Sequence, residues 1–374
     1  MELVIVFAIC YFILLFSILG IGSICQQKKE KSYQFGKKIQ LDNLTVIVPF
    51  RNEENRIDGL IQSLINSKKL PKQILFVNDH SDDQSILKIE EQLWKLSNIQ
   101  ISNLPDELEG KKQAIRFGID KTFTEFVLTL DADVQFNIHY FQALEQLGEA
   151  DLYLLPAIMK AKKPFHFLFE IDLHLINAIN TGINGLTRPI IASGANLLFK
   201  RSSFLEFDQI DAHKHIPSGD DIYLLRDFRE SNCDVRLVAN SAFQVETETP
   251  QSLNEFLHQR IRWIAKTVNV SDQLSTALAI SQFIFILSFW AIEIDLIIKK
   301  DFILAIEFYG LKMTLDMLFF FSYFKEFNRL TALFLIPIYQ LIFPIYNLLL
   351  IIFMPFFKPI WKGRYAGLNG HLQK

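Results

Sequence analysis

The sequence is poor in several features that would point to common functions. It holds only three cysteines, Cys10, Cys25 and Cys233. They are too few and too scattered for a disulfide framework or a zinc site, and their placement suits a reducing compartment. Net charge is only −3 over 374 residues, which argues against nucleic acid as the main ligand. No glycine-rich phosphate loop of the P-loop or dinucleotide type is present, so a nucleotide would have to be held by other means. Charge is also missing locally. Leu3 to Gln27 carries none, and Ala277 to Phe357 is mostly apolar. The first of these runs lacks the basic start and the Ala-x-Ala exit of a cleaved leader; Gly20-Ile21-Gly22 is only a loose match.

Hydrophobic residues, by contrast, make up half of the chain, with 35 phenylalanines among them. They flank a middle of ordinary soluble composition. The expected organisation is an N-terminal anchor over 1–26, a basic linker over 27–41, a soluble domain over 42–270, membrane helices over 271–357 and a tail over 358–374. Lys28, Lys29, Lys31, Lys37 and Lys38 follow the anchor. The positive-inside rule therefore puts the soluble domain in the cytoplasm; the membrane expected is a bacterial-type cell membrane. Apolar spans are expected at about 275–298, 302–324 and 330–357. The middle one carries Glu307, Lys312 and Asp316, so that face must meet protein or the interface. The last holds Pro337, Pro344 and Pro355 and reads as a broken or re-entrant helix, which would return the basic tail to the cytoplasm.

The middle of the chain alternates between two periods. Apolar β-rich runs at 44–49, 73–77, 99–104 and 126–130 read as strands, and helical spacing follows at 56–65, 84–96 and from 110 onward. Polar strings close three of the strands: Arg51 to Asn55, Asn78 to Asp83, and Asp131-Ala132-Asp133. This is the pattern of an open, mostly parallel sheet, which binds ligands at the carboxyl ends of its strands. Asp131 and Asp133 offer only oxygen, which suits Mg²⁺ or Mn²⁺; two solvated turn acids would leave the same spacing. Glu53 and Asp79 could take hydrogen bonds from ribose or uracil, or could serve as helix-capping and first-turn acids. A further helix, 164–186, carries Glu170, His174, Asn177, Thr181 and Asn184 at helical spacing, with Asp172 and Asn180 off that stripe. It reads either as a core helix or as one lying on a bilayer.

Seven segments in order make the chain resemble a membrane-bound family 2 glycosyltransferase of the ceramide glucosyltransferase-like or polysaccharide synthase-like kind. They are VIVPFRNEEN at 46–55, FVNDHSDD at 76–83, GKKQAIRFGI at 110–119, LDADV at 130–134, SGANLLFKRSSF at 193–204, GDDIYLL at 219–225 and QRIRW at 259–263. The resemblance implies an α/β GT-A fold, the nucleotide-diphospho-sugar transferase variant of a Rossmann-like sheet, with one N-terminal and about three C-terminal membrane helices. It implies inverting, metal-dependent transfer from a nucleotide-sugar, with UDP expected, to a hydroxyl of a lipid, lipid-linked or glycan acceptor. A processive polysaccharide synthase and a non-catalytic membrane scaffold are the rival readings; so few spans, with no visible repeat, give little material for a transporter.

Roles follow by position. Pro49, Arg51, Glu53, Asp79, Lys111, Asp131 and Gly194 fall on the donor side, and Asp133 with Asp131 matches the DxD metal site. Asn78 stands where the family often has Asp. Asp221 falls at the general base, preceded by Asp220 where Glu is usual; the pair could equally cap the following helix. Gln259, Arg262 and Trp263 match QxxRW and share one helix face. They would serve the diphosphate and acceptor, although Arg and Trp before a membrane helix are also ordinary interfacial anchors.

Overall fold

The structure is a computed structural model that describes residues 1–208, 220–270, 272–353, 360–361 and 364–365. It divides into two compact units, one containing Glu30–Lys160 and Ile191–Lys266, the other containing Met1–Lys29, Ala161–Ile190 and Thr267–Phe356. The soluble domain expected as one stretch, 42–270, is thus interrupted: residues 161–190 belong to the second, helical unit.

The first unit is built on a seven-stranded sheet. Strands β1 (Leu44–Phe50), β2 (Gln73–Asn78), β3 (Ile99–Asn103) and β4 (Phe126–Leu130) pair in the order β3-β2-β1-β4, all parallel. Every residue of β1 and β4 is buried. That is why both read as unbroken apolar runs, as strands covered on two faces do. Edge strand β3 instead mixes exposed and half-buried positions. Three more strands extend the sheet: β6 (Leu152–Leu154), β8 (Asn196–Lys200) and β9 (Val235–Leu237). β8 lies antiparallel between β4 and β6, and β9 pairs parallel with β6. The sheet is therefore mostly parallel, with one reversed strand. A small second sheet joins β5 (Val134–Phe136), β7 (Ala157–Lys160) and β10 (Val245–Glu248). Asp131-Ala132-Asp133 is the joint between the two sheets, with Ala132 turned into the core.

The crossover helices start and stop for local reasons. α3 (Asp58–Asn66) buries Leu60, Ile61 and Leu64, the spacing that marked it in the sequence. α4 spans Ser85–Leu93, α5 spans Lys111–Asp120 and the short α6 spans Tyr140–Leu144. α5 is entered through Gly110 at φ 91°, a left-handed backbone that glycine adopts without strain. Beyond β8, α8 (Arg201–Phe207) and α9 (Asp220–Glu230) pack on the sheet's second core, and α10 (Leu253–Val270) carries Gln259 to Trp263.

In the helical unit, α1 (Glu2–Leu15) continues through a π-helical turn, Phe16–Gly22, into α2 (Ser23–Ser32). Two stretches are long and apolar enough to cross a membrane: Glu2–Ser32 and α11, Gln273–Ile298. Of the three expected C-terminal spans, α11 alone meets that test among the described residues. α12 (Phe302–Glu326) carries Glu307, Lys312, Asp316, Lys325 and Glu326. The third breaks at Leu335 into α13 (Leu330–Phe334) and α14 (Ile336–Phe353), with Pro344 inside the latter.

α7 (Phe167–Leu186) is a core helix, but of the helical unit rather than of the sheet domain. Glu170, Asp172, His174, Asn180, Thr181 and Asn184 are all buried, those off the helical stripe included. The helix is enclosed within the helical unit, packed by the π-helical turn and by α12, α13 and α14. Its crossing with the N-terminal helix is close. A Cβ on Gly185 would stand 1.8 Å from the carbonyl oxygen of Gly22, and one on Gly182 would stand 2.2 Å from that of Ile18. Beside this contact, the Asn184 amide donates to Gln26 Oε1 at 2.6 Å.

Candidate active site

The parallel register brings the three polar strings to one edge. Phe50 is opposite Asn78, and Leu44 to Ile47 of β1 run beside Phe126 to Thr129 of β4. Arg51, Asp79 and Asp131 are the next residues along these strands, at their carboxyl ends. The first two strings are laced together. The Asn52 amide donates to Asp82 at 2.6 Å, the Glu53 N–H to Ser85 Oγ at 2.7 Å, and the Gln84 N–H to Glu54 at 3.0 Å. Asn52 and His80 adopt left-handed φ of 51° and 54° in these loops.

This lacing decides the capping question. α3 starts at Asp58 and α4 at Ser85, neither with a side-chain cap. Glu53 therefore lies outside the first turn of α3. Asp79 is buried and uses its Oδ2 to accept the Gly110 N–H at 3.2 Å, across the sheet edge rather than onto α4. Arg51 donates from Nη1 to the Asp79 carbonyl at 3.0 Å. Pro49 is an ordinary β1 position opposite Val77. Asn78, the departure from the family pattern, is structural: its amide donates to Asn103 at 2.9 Å and its oxygen accepts the Ser81 N–H.

The DxD carboxylates each face a cation. Lys111 Nζ stands 2.7 Å from Asp131 Oδ1 and also donates to the Gly194 carbonyl at 3.3 Å. Arg56 bridges two acids, with Nη2 2.8 Å from Glu53 and Nη1 3.5 Å from Asp133. Burial works against the Arg56 charge, but the Asp133 and Glu53 carboxylates outweigh it and raise its pKa. Arg56 was not among the expected residues. Its signal was local: it lies three residues after Glu53, within reach on one turn.

Asp221 is tied to the same corner. Its Oδ2 accepts the Gly194 N–H at 3.2 Å and its Oδ1 accepts the Ile222 N–H at 2.9 Å. Gly194 thus links Lys111, through its carbonyl, to Asp221, through its amide. Asp220 opens α9, and its side chain lies outside the described residues. Two residues on, Asn196 is fully buried. It accepts from the Tyr140 hydroxyl and donates to the Pro156 and Phe243 carbonyls, so it fixes the strand that presents Gly194.

On α10, Gln259, Arg262 and Trp263 are half-buried. Burial pushes the Arg262 guanidinium below its ordinary value, and burial with the Arg262 charge does the same to the His258 imidazole. The arginine stacked on the tryptophan is Arg260, which the motif passes over. It is buried, 4.3 Å from the Trp263 ring and 4.9 Å from the Phe256 ring. Its spacing of −3 from Trp263 and +4 from Phe256 could have flagged it.

Among the described residues no group of three or more His, Cys, Asp or Glu could hold a metal ion. The available donor set is the pair Asp131 and Asp133. That fits Mg²⁺ or Mn²⁺ bound through one or two carboxylates, with the remaining ligands from phosphate and water. The cations already paired with both carboxylates stand where positive charge is wanted.

Acidic strings at the carboxyl ends of parallel strands lie where open α/β sheets bind ligands. Residues 45–206 match the family described as Glycosyl transferase family 2. The chain is 30% identical over 206 residues to a 4,4'-diaponeurosporenoate glycosyltransferase of Staphylococcus aureus, covering 52% of each. It is 26% identical over 166 residues to a teichoic acid poly(glycerol phosphate) polymerase of Staphylococcus epidermidis, covering 43% of this chain and 22% of that one. The chain thus spans about half the length, or less, of these relatives. Among solved structures, a Pyrobaculum calidifontis mannosyltransferase in complex with GDP-Man and Mn²⁺ aligns with TM-score 0.45 at 14% identity, over 71% of this chain and 74% of that one. The glucosyl-3-phosphoglycerate synthase of Mycobacterium tuberculosis aligns with TM-score 0.41 at 15% identity, over 61% and 79%.

Proposed function

We propose that this chain transfers a sugar from a nucleotide-sugar, a UDP-sugar by expectation, to a hydroxyl of a lipid or lipid-linked acceptor, with inversion. The carrying observation is the convergence of Glu53, Asp79, Asp131 and Asp133 at adjacent strand ends, linked through Lys111 and Gly194 to Asp221. Glu53 and Asp79, with Pro49 and Arg51 beside them, take the nucleoside. Asp131 and Asp133 hold a divalent cation, which supplies Lewis-acid neutralisation of the diphosphate. Arg262 and Lys111 add positive charge toward the same phosphates, while Gln259 and Trp263 border the acceptor. Asp221 takes the acceptor proton as the hydroxyl oxygen bonds to the anomeric carbon. The bond from that carbon to the diphosphate breaks, and its electron pair leaves with the phosphate. Two carboxylate contacts from backbone N–H groups fix the direction in which Asp221 faces. The membrane and cytoplasmic assignments rest on the apolar stretches Glu2–Ser32 and Gln273–Ile298 and on the lysines after the first.

Purified full-length protein in detergent, offered a panel of nucleotide-sugars with Mn²⁺, should release nucleoside diphosphate from one of them. EDTA or Asp133→Ala should remove most of that activity while the fold is retained. Full activity in EDTA would sink the metal assignment. For orientation, a cysteine placed at Ser67 in a background without the native three should resist an impermeant thiol reagent in intact cells. Labelling without permeabilisation would reverse the topology.

A further inference from the structure

We propose that Arg56 is a latch on the metal-binding acids, holding Asp133 until a cation and a diphosphate arrive together. This rests on the functional reading above. The geometry of its two contacts is unequal. The Glu53 contact is an ion pair at 2.8 Å to a side chain only 9% exposed, whereas the Asp133 contact, at 3.5 Å, is longer. The Arg56 side chain is 40% exposed and that of Asp133 is 22% exposed, so water can replace this second contact readily. Arg56 is therefore anchored at Glu53 and exchangeable at Asp133. Lys111 covers Asp131 more closely, 2.7 Å from it and with its own side chain 19% exposed.

The charge balance gives this arrangement a purpose. Two carboxylates face two monovalent cations, so a bare divalent ion must displace both to reach the pair. It exchanges one double positive charge for another and leaves Arg56 Nη1 and Lys111 Nζ without their acids. A cation that arrives with a nucleoside diphosphate brings the displacing charge and also the phosphate oxygens to receive the displaced groups. Metal and nucleotide then favour each other's binding, and the coupling is reciprocal. Arg56 is on this account a positioning residue that suppresses metal capture without donor.

The test reads binding rather than turnover. Mn²⁺ alone is titrated onto detergent-purified full chain and followed by electron paramagnetic resonance. Arg56→Gln should bind Mn²⁺ about threefold tighter than the unsubstituted protein, the scale of one exposed ion pair removed. The gain in Mn²⁺ affinity on adding the nucleoside diphosphate of the donor that turns over should shrink by a similar factor. Lys111→Gln should move both quantities the same way and serves as the second variant if Arg56→Gln misfolds. Equal or weaker Mn²⁺ binding by Arg56→Gln, with Asp133→Asn losing it, overturns the latch alone. Mn²⁺ binding unaffected by Asp133→Asn overturns the metal assignment and the latch with it.

Discussion

The two units handle their carboxylates in opposite ways. In the sheet unit, Asp131 and Asp133 sit at a strand end with side chains 33% and 22% exposed, Asp131 against Lys111 and Asp133 against Arg56. In the helical unit, Asp316 is fully buried. It accepts from the Tyr11 hydroxyl, from Gln340 at 3.3 Å and from Lys312 at 2.8 Å. Asp172, also buried, accepts from the hydroxyls of Tyr339 and Tyr346. The first kind of pair can trade its partner for a ligand at little loss, since half-exposed pairs contribute only about 0–1 kcal/mol. The second kind cannot, because a lost partner leaves charge where water does not reach. On the proposed function, the difference separates acids placed to exchange a partner for a ligand from acids that serve packing, although both belong to the same residue type.

That contrast can be broken at its strongest point. Asp221→Asn should lower turnover by ~10²–10⁴-fold, the usual contribution of a positioned base. Melting temperature and nucleotide-sugar affinity should barely move. Asp220→Asn should be milder, since Asn caps a helix about as well as Asp. A normal Asp221→Asn beside a dead Asp220→Asn would shift the base by one residue. In the helical unit the effect should be structural. Asp316→Leu leaves Lys312 buried without its carboxylate and should destabilise by about 3–5 kcal/mol. Adding Lys312→Met should recover most of the loss, as read by thermal unfolding in detergent. Should the double variant melt as early as the single one, the pair is not what Asp316 serves. The smallest effect tests packing alone. Gly185→Ala should cost about 1–3 kcal/mol, because its new methyl meets the Gly22 carbonyl. Gly310→Ala, with nothing within 4 Å of the added carbon, should be neutral or stabilising.

Much of the sheet unit was legible from sequence because its signals are periodic. Central strands covered on both faces leave continuous apolar runs, and each ends in a polar string. The strands β1 to β4 fall within a residue of their expected limits, and the strings share one edge. What escaped were relations between strings. The capping alternative for Asp79 and the first-turn alternative for Glu53 drop out because the loops bind each other, through Asn52, Glu54, Asp82 and Ser85, and the helices start further on, at Ser85 and Asp58. Arg56 and Arg260 were missed because their one-turn spacing to Glu53, Phe256 and Trp263 is common in any helix or turn, and only the contact itself gives it meaning. The placement of 161–190 was hidden for another reason. An apolar helix with polar residues on several sides reads alike whether it completes a sheet's core or a helical bundle. Only its partners distinguish the two, and Tyr339 and Tyr346 come far later in the chain.

That distance has a consequence for how the protein is made. Asp172 is separated from its tyrosine partners by 167 and 174 residues. At the usual pace of synthesis, 5–20 residues each second, α7 waits roughly ten to thirty seconds for them to emerge. Throughout that interval its acids have no tyrosine to meet. Of the elements that pack on it in the helical unit, the N-terminal helix, with its π-helical turn, glycine contact and Gln26, is already synthesised, and α12 emerges before the tyrosines. A ribosome that stops before Ile336 releases a chain whose sheet is complete in sequence but whose inserted helix still lacks its last lock.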